Sequence, residues 1–183
     1  MNLLVIDHPA ICVDLRYASA DNITGQPIYA RAIALLHPDA HAALTRAADL
    51  AGTLGYRLTV YDAYRPPAAQ WRLWEALPDP TFVADPVEGS THSRGIAVDL
   101  TLADEHGQPL VMGTGFDAML EQSYHGRLDL PREAQRNRTL LLGLMTAAGW
   151  VHQPHEWWHY NLPEELSYPI IDDADTVARM MDD

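Results

Sequence analysis

Apolar side chains recur at three- and four-residue spacing in two stretches of the chain, and these predict its long helices. Over residues 38–54 the positions Leu44, Ala47, Ala48, Ala51 and Leu54 share one face, and Gly55 follows as a stop. Over residues 131–148 a second stripe is formed by Leu140, Leu141, Leu144, Met145 and Ala148, and Gly149 ends it. A shorter helix is predicted over 67–77, followed by a proline-containing loop at 78–89. Alternation with period two marks the strands. The clearest is 96–102, where Ile96, Val98, Leu100 and Leu102 point one way and Ala97, Asp99 and Thr101 the other. Residues 57–63 set Leu58 and Val60 against Thr59 and Tyr61, residues 11–17 alternate in the same manner, and the aromatic run 157–161 reads as a short last strand. NITGQ at 22–26 is a turn cluster before a short extended piece at 27–30. Strands and helices intermix without the strict alternation of a parallel sheet. The predicted class is therefore α+β, with a mainly antiparallel central sheet flanked by helices, in one domain spanning residues 1–183.

Composition narrows the partners. Lysine and arginine total 12 against 25 aspartates and glutamates, a formal charge of −13, which argues against nucleic acid and anionic membrane. The longest uncharged stretch, 139–155, is broken by Gly143, Gly149, Gln153 and Pro154, so no transmembrane segment is expected. The first residues, MNLLVIDHPAICVDLRY, carry Asp7 and Pro9 within an apolar run and lack a basic leader, so a cytoplasmic location is expected. Cys12 is the sole cysteine. An intramolecular disulfide and a thiolate cluster are thus excluded, and any metal site must be built from His, Asp and Glu. The oligomeric state stays open.

Two segments carry candidate chemistry. In Ser90-Thr91-His92-Ser93-Arg94-Gly95-Ile96-Ala97-Val98-Asp99, the Asp99 side chain lies on the strand face opposite the apolar residues, and His92 lies in the loop leading into that strand. A carboxylate and an imidazole can then converge on one point, although an isolated pair of this kind is more often an edge-strand aspartate facing solvent and a loop histidine. The second segment, His155-Glu156-Trp157-Trp158-His159, supplies another imidazole and carboxylate. Its letters match H-E-x-x-H, the helical zinc motif of zincins. A helix is not expected here, because the stretch opens after Pro154, is rich in aromatics and lies in the short span between Gly149 and Pro163. In a strand, residues three apart point to opposite faces, so Glu156 must sit in an irregular lead-in if it and His159 are to face one metal.

Together, S-x-H-x-x-G-x-A-x-D at 90–99 and E-x-x-H-Y at 156–160 resemble the zinc D,D-peptidases of the D-Ala-D-Ala carboxypeptidase superfamily. Further blocks, DLRYASADNITGQPIYA (14–30), YDAYRP (61–66), STHSRGIAVDLTL (90–102), MGTGFDAM (112–119), EAQRNR (133–138) and EWWHY (156–160), resemble in the same order the D-alanyl-D-alanine dipeptidases of the vancomycin-resistance type. The resemblance implies the hedgehog and D,D-peptidase fold, hydrolysis of D-Ala-D-Ala to two D-alanines, and one Zn²⁺ per chain held by His92, Asp99 and His159 with a fourth position left for water. It implies Glu156 as general base and Arg65 as stabiliser of the oxyanion. A small dipeptide with an ammonium and a carboxylate needs an anion and donors. Asp117 is the candidate for the ammonium, Ser90 for the carboxylate, and Tyr17 for a contact at the amino end.

Ordinary alternatives stand beside these roles: Arg65 as a surface partner of Asp62, Asp117 as a helix cap near Ala118, Ser90 as a turn residue and Tyr17 as core. His8, His37, His41, His106, His125 and His152 read as surface or turn residues, with His125 near enough to Asp117 to face the pocket. The five tryptophans read as core, and residues 172–183 as a solvated tail. The segment between Arg65 and Ser90 is shorter than the family's, and Thr91 stands where serine is usual. An open site would admit longer D-Ala-D-Ala-terminated peptides, giving a D,D-carboxypeptidase. A non-catalytic zinc-binding module of the hedgehog type is the reading from another class.

Overall fold

A computed structural model describes residues 3–181 of the chain. At its centre lies a five-stranded sheet in the order β2-β4-β5-β7-β6, where β2 is Ile11–Val13, β4 Arg57–Asp62, β5 Ala97–Ala103, β6 Val151–His152 and β7 His159–Asn161. A small antiparallel pair joins β1 (Leu4–Val5) to β3 (Leu35–Leu36). The central sheet is mixed: β2 runs parallel to β4, and the remaining three pairings are antiparallel. Parallel pairing needs a long crossover, and here it is supplied by β3 and the helix α1, Pro38–Thr53. The sequence pattern marked that helix without showing that it bridges two parallel strands.

Helix α1 begins as a capped helix. Pro38 takes its first position, and Nδ1 of His37 accepts from the Asp39 N–H at 3.2 Å. His37, expected at the surface or in a turn, is thus a buried cap. The inward face carries Ala40, Ala43, Leu44, Ala47, Ala48 and Ala51, while Leu54 falls at the end of the helix and is exposed. Helix α2 is Pro67–Ala76 and α3 is Arg132–Ala147. Helices α1 and α3 pack on each other and against β4 and β5, burying Leu58, Val60, Val98, Leu100 and Leu102 beneath them. Alternation sends Asp62, Asp99 and Thr101 to other surroundings, yet β5 is buried at every position. Loops cover what the helices do not.

The predicted strand at 11–17 stops at Val13 and turns into a 3₁₀ turn, Arg16–Ala18, while the piece at 27–30 forms no strand. Instead, the N–H groups of Ile28 and Tyr29 both donate to the Tyr17 carbonyl. Trp71, expected in the core, is exposed. The acidic end also differs from a solvated tail. Met180 and Met181 are buried, and the Asp173 carboxylate accepts from both of their N–H groups. Upstream, the Ile171 N–H donates to the Ser93 carbonyl at 2.9 Å and its carbonyl accepts from the Tyr64 hydroxyl at 2.9 Å. The final segment is a strap across the loops that carry the site; residues 182–183, the end of the predicted tail, lie outside the described residues.

Candidate active site

Three strands bring charged groups into one row. In the β4–β5 register Val60 faces Leu100 but Asp62 faces Asp99, so a bulge at Tyr61 shifts the alignment. On the other side of β5, Asp99 faces His159. Asp62, Asp99 and His159 are therefore neighbours across β4, β5 and β7. His92 reaches the same place from the 3₁₀ turn His92–Arg94, which ends at Gly95 with φ 69°. A Cβ on Gly95 would lie 2.8 Å from Leu3 Cδ2 and 3.2 Å from the His37 backbone nitrogen. Both the backbone conformation and the close packing call for glycine there.

His92, Asp99 and His159 offer ligand atoms within 4.8 Å of one another, the one such group of three among the described residues. His92 Nε2 and His159 Nδ1 stand 3.1 Å apart, and Asp99 Oδ1 lies 3.1 Å from His159 Nδ1 and 3.4 Å from His92 Nε2. The far side of His92 is fixed, because Nδ1 lies 2.6 Å from the Ala63 carbonyl. That bond sets the tautomer with Nδ1–H as donor and leaves the Nε2 lone pair aimed at the cluster. Burial pushes the His159 imidazole towards its neutral form, against the pull of Asp99. Burial raises the Asp99 carboxyl, but the two imidazoles outweigh it and hold it below the usual carboxylate range. Two imidazole nitrogens and one carboxylate that converge within this distance form a donor set that fits a divalent metal ion.

Glu156 stands beside this cluster, its Oε2 3.8 Å from His159 Nδ1. Residues 154–158 form turns rather than a helix, with the Glu156 N–H donating to the Gln153 carbonyl, and β7 starts only at His159. The H-E-x-x-H letters thus have no helical frame. His155 is absent from the metal group and stacks on Tyr124, with ring centroids 4.6 Å apart. Burial first, and then the nearby Asp99 and Asp117, push the Glu156 carboxyl well above its usual range, while Arg65 pulls the other way.

Arg65 is buried, not at the surface. It does pair with Asp62, with Nε donating to Asp62 Oδ2 at 2.8 Å; Nη1 donates to Gln70 Oε1 at 2.9 Å, and Nη2 lies 3.5 Å from Asp99 Oδ2. Its face lies over the Tyr17 ring, 5.0 Å from the centroid. Asp62 also accepts from the Tyr29 hydroxyl at 2.7 Å.

Asp117 caps no helix; it sits at φ 56° in a loop. Its Oδ1 accepts from the Tyr17 hydroxyl at 3.1 Å, while Oδ2 is out of contact with solvent and has no hydrogen-bond partner. The loop is held from behind by polar residues on the buried side of α3. Arg138 donates to the carbonyls of Met112 and Gln122, and Asn137 to that of Val111. Trp157 Nε1 donates to Thr114 Oγ1. Ser90 Oγ accepts from the His92 N–H at 3.1 Å, so its own hydroxyl proton remains available to a ligand. The turn role and a donor role coexist.

One cleft of about 420 Å³ is lined by Tyr17, Arg65, Ser90, His92, Asp99, Asp117, Glu156 and His159, which are all of the residues singled out by the sequence for the site. His125 is not on its wall; it packs against His152 and Tyr160. Trp158, buried as expected of a core residue, also reaches the cleft. The short segment after Arg65 still walls the cleft with Phe82, Val83, Ala84 and Asp85. Residue-type reasoning missed the supports: Tyr29, Gln70, Arg138 and the carbonyl of Ala63. Arg138 breaks the apolar stripe of α3, and that interruption was its signal in the sequence.

The chain matches the family model described as D-ala-D-ala dipeptidase over residues 6–178. It is 51% identical over 170 residues to the D-alanyl-D-alanine dipeptidase of Escherichia coli (strain K12), covering 93% of this chain and 88% of that protein. It is 36% identical over 176 residues to the D-alanyl-D-alanine dipeptidase of Streptomyces coelicolor, with coverages of 83% and 86%. To the protein of the same name from Enterococcus faecalis it is 32% identical over 177 residues, with coverages of 85% and 87%. The matched span contains every residue of the cleft set, and the chain belongs to the D-Ala-D-Ala dipeptidase family of metallopeptidases.

Proposed function

We propose that this chain hydrolyses the free dipeptide D-Ala-D-Ala to two D-alanines, using one Zn²⁺ held by His92, Asp99 and His159. The donor set of two imidazole nitrogens and one carboxylate oxygen is that of a catalytic zinc site with a position left open. When bound, the ion supplies Lewis acidity, polarising the scissile carbonyl and acidifying the attacking water. Glu156 takes the proton from that water. The same carboxyl then returns the proton to the leaving amine. Arg65, held by Asp62 and Gln70, presents its charge where the oxyanion develops. Ser90 donates to the C-terminal carboxylate of the substrate.

The observation that carries the choice of a free dipeptide is Asp117 Oδ2, a carboxylate oxygen buried in the wall of the cleft without a partner. A buried unpaired anion is costly, and a substrate ammonium satisfies it. An N-acylated peptide has no such charge to offer. Tyr17 fixes the other oxygen of the same carboxylate.

The test is hydrolysis of D-Ala-D-Ala beside N-acetyl-D-Ala-D-Ala by zinc-loaded protein, with Glu156→Ala as control. Cleavage of the free dipeptide alone is expected, with kcat reduced about 10²- to 10⁴-fold in the variant and its zinc content unchanged. Preference for the acylated substrate would overturn the dipeptidase reading in favour of a D,D-carboxypeptidase. Binding of zinc with no turnover of either would point to the non-catalytic module.

A further inference from the structure

We propose that Gln70 is a positioning residue that orients the Arg65 guanidinium and ties that orientation to the seating of the loop at 78–89. The inference rests on the role of Arg65 given above. Gln70 lies on the buried face of α2 beside Ala69 and Leu73 and is 1% exposed. Its Oε1 accepts from Arg65 Nη1 at 2.9 Å, and its Nε2 donates to the Ala84 carbonyl at 2.7 Å.

The chemistry of the two neighbours explains the amide. A guanidinium only donates and a peptide carbonyl only accepts, so a side chain bridging them must present an acceptor to one and a donor to the other. Glutamine does this in one of its two amide orientations. Glutamate of the same length keeps the bond to Arg65 and loses the donor to Ala84; methionine, of similar shape, loses both.

Arg65 depends on this bridge. With Asp62 at Nε alone, the guanidinium can pivot about that bond; the second bond, at Nη1, fixes its plane against the Tyr17 ring. Nη2 has the loosest contact, 3.5 Å to Asp99 Oδ2, on a side chain that lines the cleft. On the far side of the amide, Ala84 belongs to a wall that also includes Phe82, Val83 and Asp85. A displacement of that wall reaches the guanidinium through a single side chain. Gln70 therefore acts on the chemical step, where orientation counts, more than on substrate binding.

The test compares wild type, Gln70→Met, Gln70→Glu, Arg65→Ala and both double variants as zinc-loaded protein. The readouts are kcat and KM for D-Ala-D-Ala, zinc content, and hydrogen exchange of the 78–89 backbone without substrate. Gln70→Met should lower kcat by about 10- to 10²-fold, with KM little changed and zinc retained, and speed exchange in the loop. Gln70→Glu should speed loop exchange equally but keep more of kcat. In the Arg65→Ala background neither change should lower kcat further, because the residue acts through Arg65. Undiminished kcat in Gln70→Met, or losses that multiply in the double variants, would overturn the proposal. If Gln70→Met does not fold, Gln70→Ala, which also removes both bonds, takes its place alone and with Arg65→Ala under the same criterion. Should Arg65→Ala itself leave kcat intact, the assigned role of Arg65 falls and the coupling falls with it; loss in Arg65→Ala with none in the Gln70 variants overturns only the coupling.

Discussion

Replacing Asp117 by asparagine should make the metal-free protein more stable at alkaline pH while it disables the enzyme. Although the residue is only half-buried as a whole, Oδ2 is out of solvent contact and unpaired. Burial, reinforced by the charge of Asp99, raises the carboxyl from 3.8 to about 7. Below about pH 4 the group is protonated in both folded and unfolded chains and costs nothing. As pH rises from there to about 7 the unfolded chain ionises first, so stability is lost across that window and the full cost is reached above it. About three pKa units at 1.36 kcal/mol each give about 4 kcal/mol as the upper end. Asparagine tolerates the φ of 56°, and its carbonyl accepts the Tyr17 hydroxyl in place of Oδ1, but its amide N–H is left without an acceptor at about 1–3 kcal/mol. The net gain at pH 8 is therefore about 1–3 kcal/mol, and it should shrink by about 3 kcal/mol on going to pH 4.5. Urea unfolding in the presence of a chelator, followed by tryptophan fluorescence at the two pH values, measures this. A stability difference that does not change with pH would refute the reasoning, since the effect would then not come from the charge. Turnover should move the other way: kcat/KM falls by about 10²-fold or more, the cost of a substrate ammonium buried without its anion.

Other substitutions test the frame around the cluster. His155→Ala should leave both zinc stoichiometry and kcat near wild type, because His155 stacks on Tyr124 outside the metal group; loss of zinc from this variant would restore the helical H-E-x-x-H assignment. Gly95→Ala forces a side chain into a left-handed backbone and against Leu3 and the His37 backbone. It should cost about 1–3 kcal/mol in urea unfolding and weaken zinc affinity through the displaced His92, whereas wild-type stability would show that the turn can relax.

Much of this was legible in the residues. Alternation over 96–102 puts Asp99 off the apolar face, and Pro154 and the tryptophans argue against a helix at 155–159, but the set of His92, Asp99 and His159 with Glu156 beside it was implied by the resemblance to the zinc D,D-peptidases and not by the spacing alone. The helices α1 and α3 announced themselves by periodicity to within a residue or so. What stayed hidden depends on partners far apart in the chain. The parallel pairing of β2 with β4 is a property of the crossover, not of either strand. Two-residue strands such as β1, β3 and β6 are too short to show a period. Gln70 reads as an ordinary polar helix position, and Arg138 shows only as an interruption of the α3 stripe, since their meaning lies in carbonyls of Ala84 and Met112 brought to them by the fold. The last segment looked like a tail because its acidic residues mask Met180 and Met181, which are buried only against the rest of the molecule.

The order in which the cluster is assembled along the chain has a consequence for biosynthesis. His92 and Asp99 are made well before His159, which lies 60 residues beyond Asp99, an interval of roughly 3–12 s at ordinary rates of translation of about 5–20 residues per second. During that time the nascent polypeptide has one imidazole and one carboxylate but lacks the strand that completes the set. The segment around Ile171, which clasps Tyr64 and the loop of Ser93, emerges later still. A metal ion that needs all three donors can therefore be held only near the end of synthesis, and a truncated translation product that stops short of His159 lacks one donor of the set.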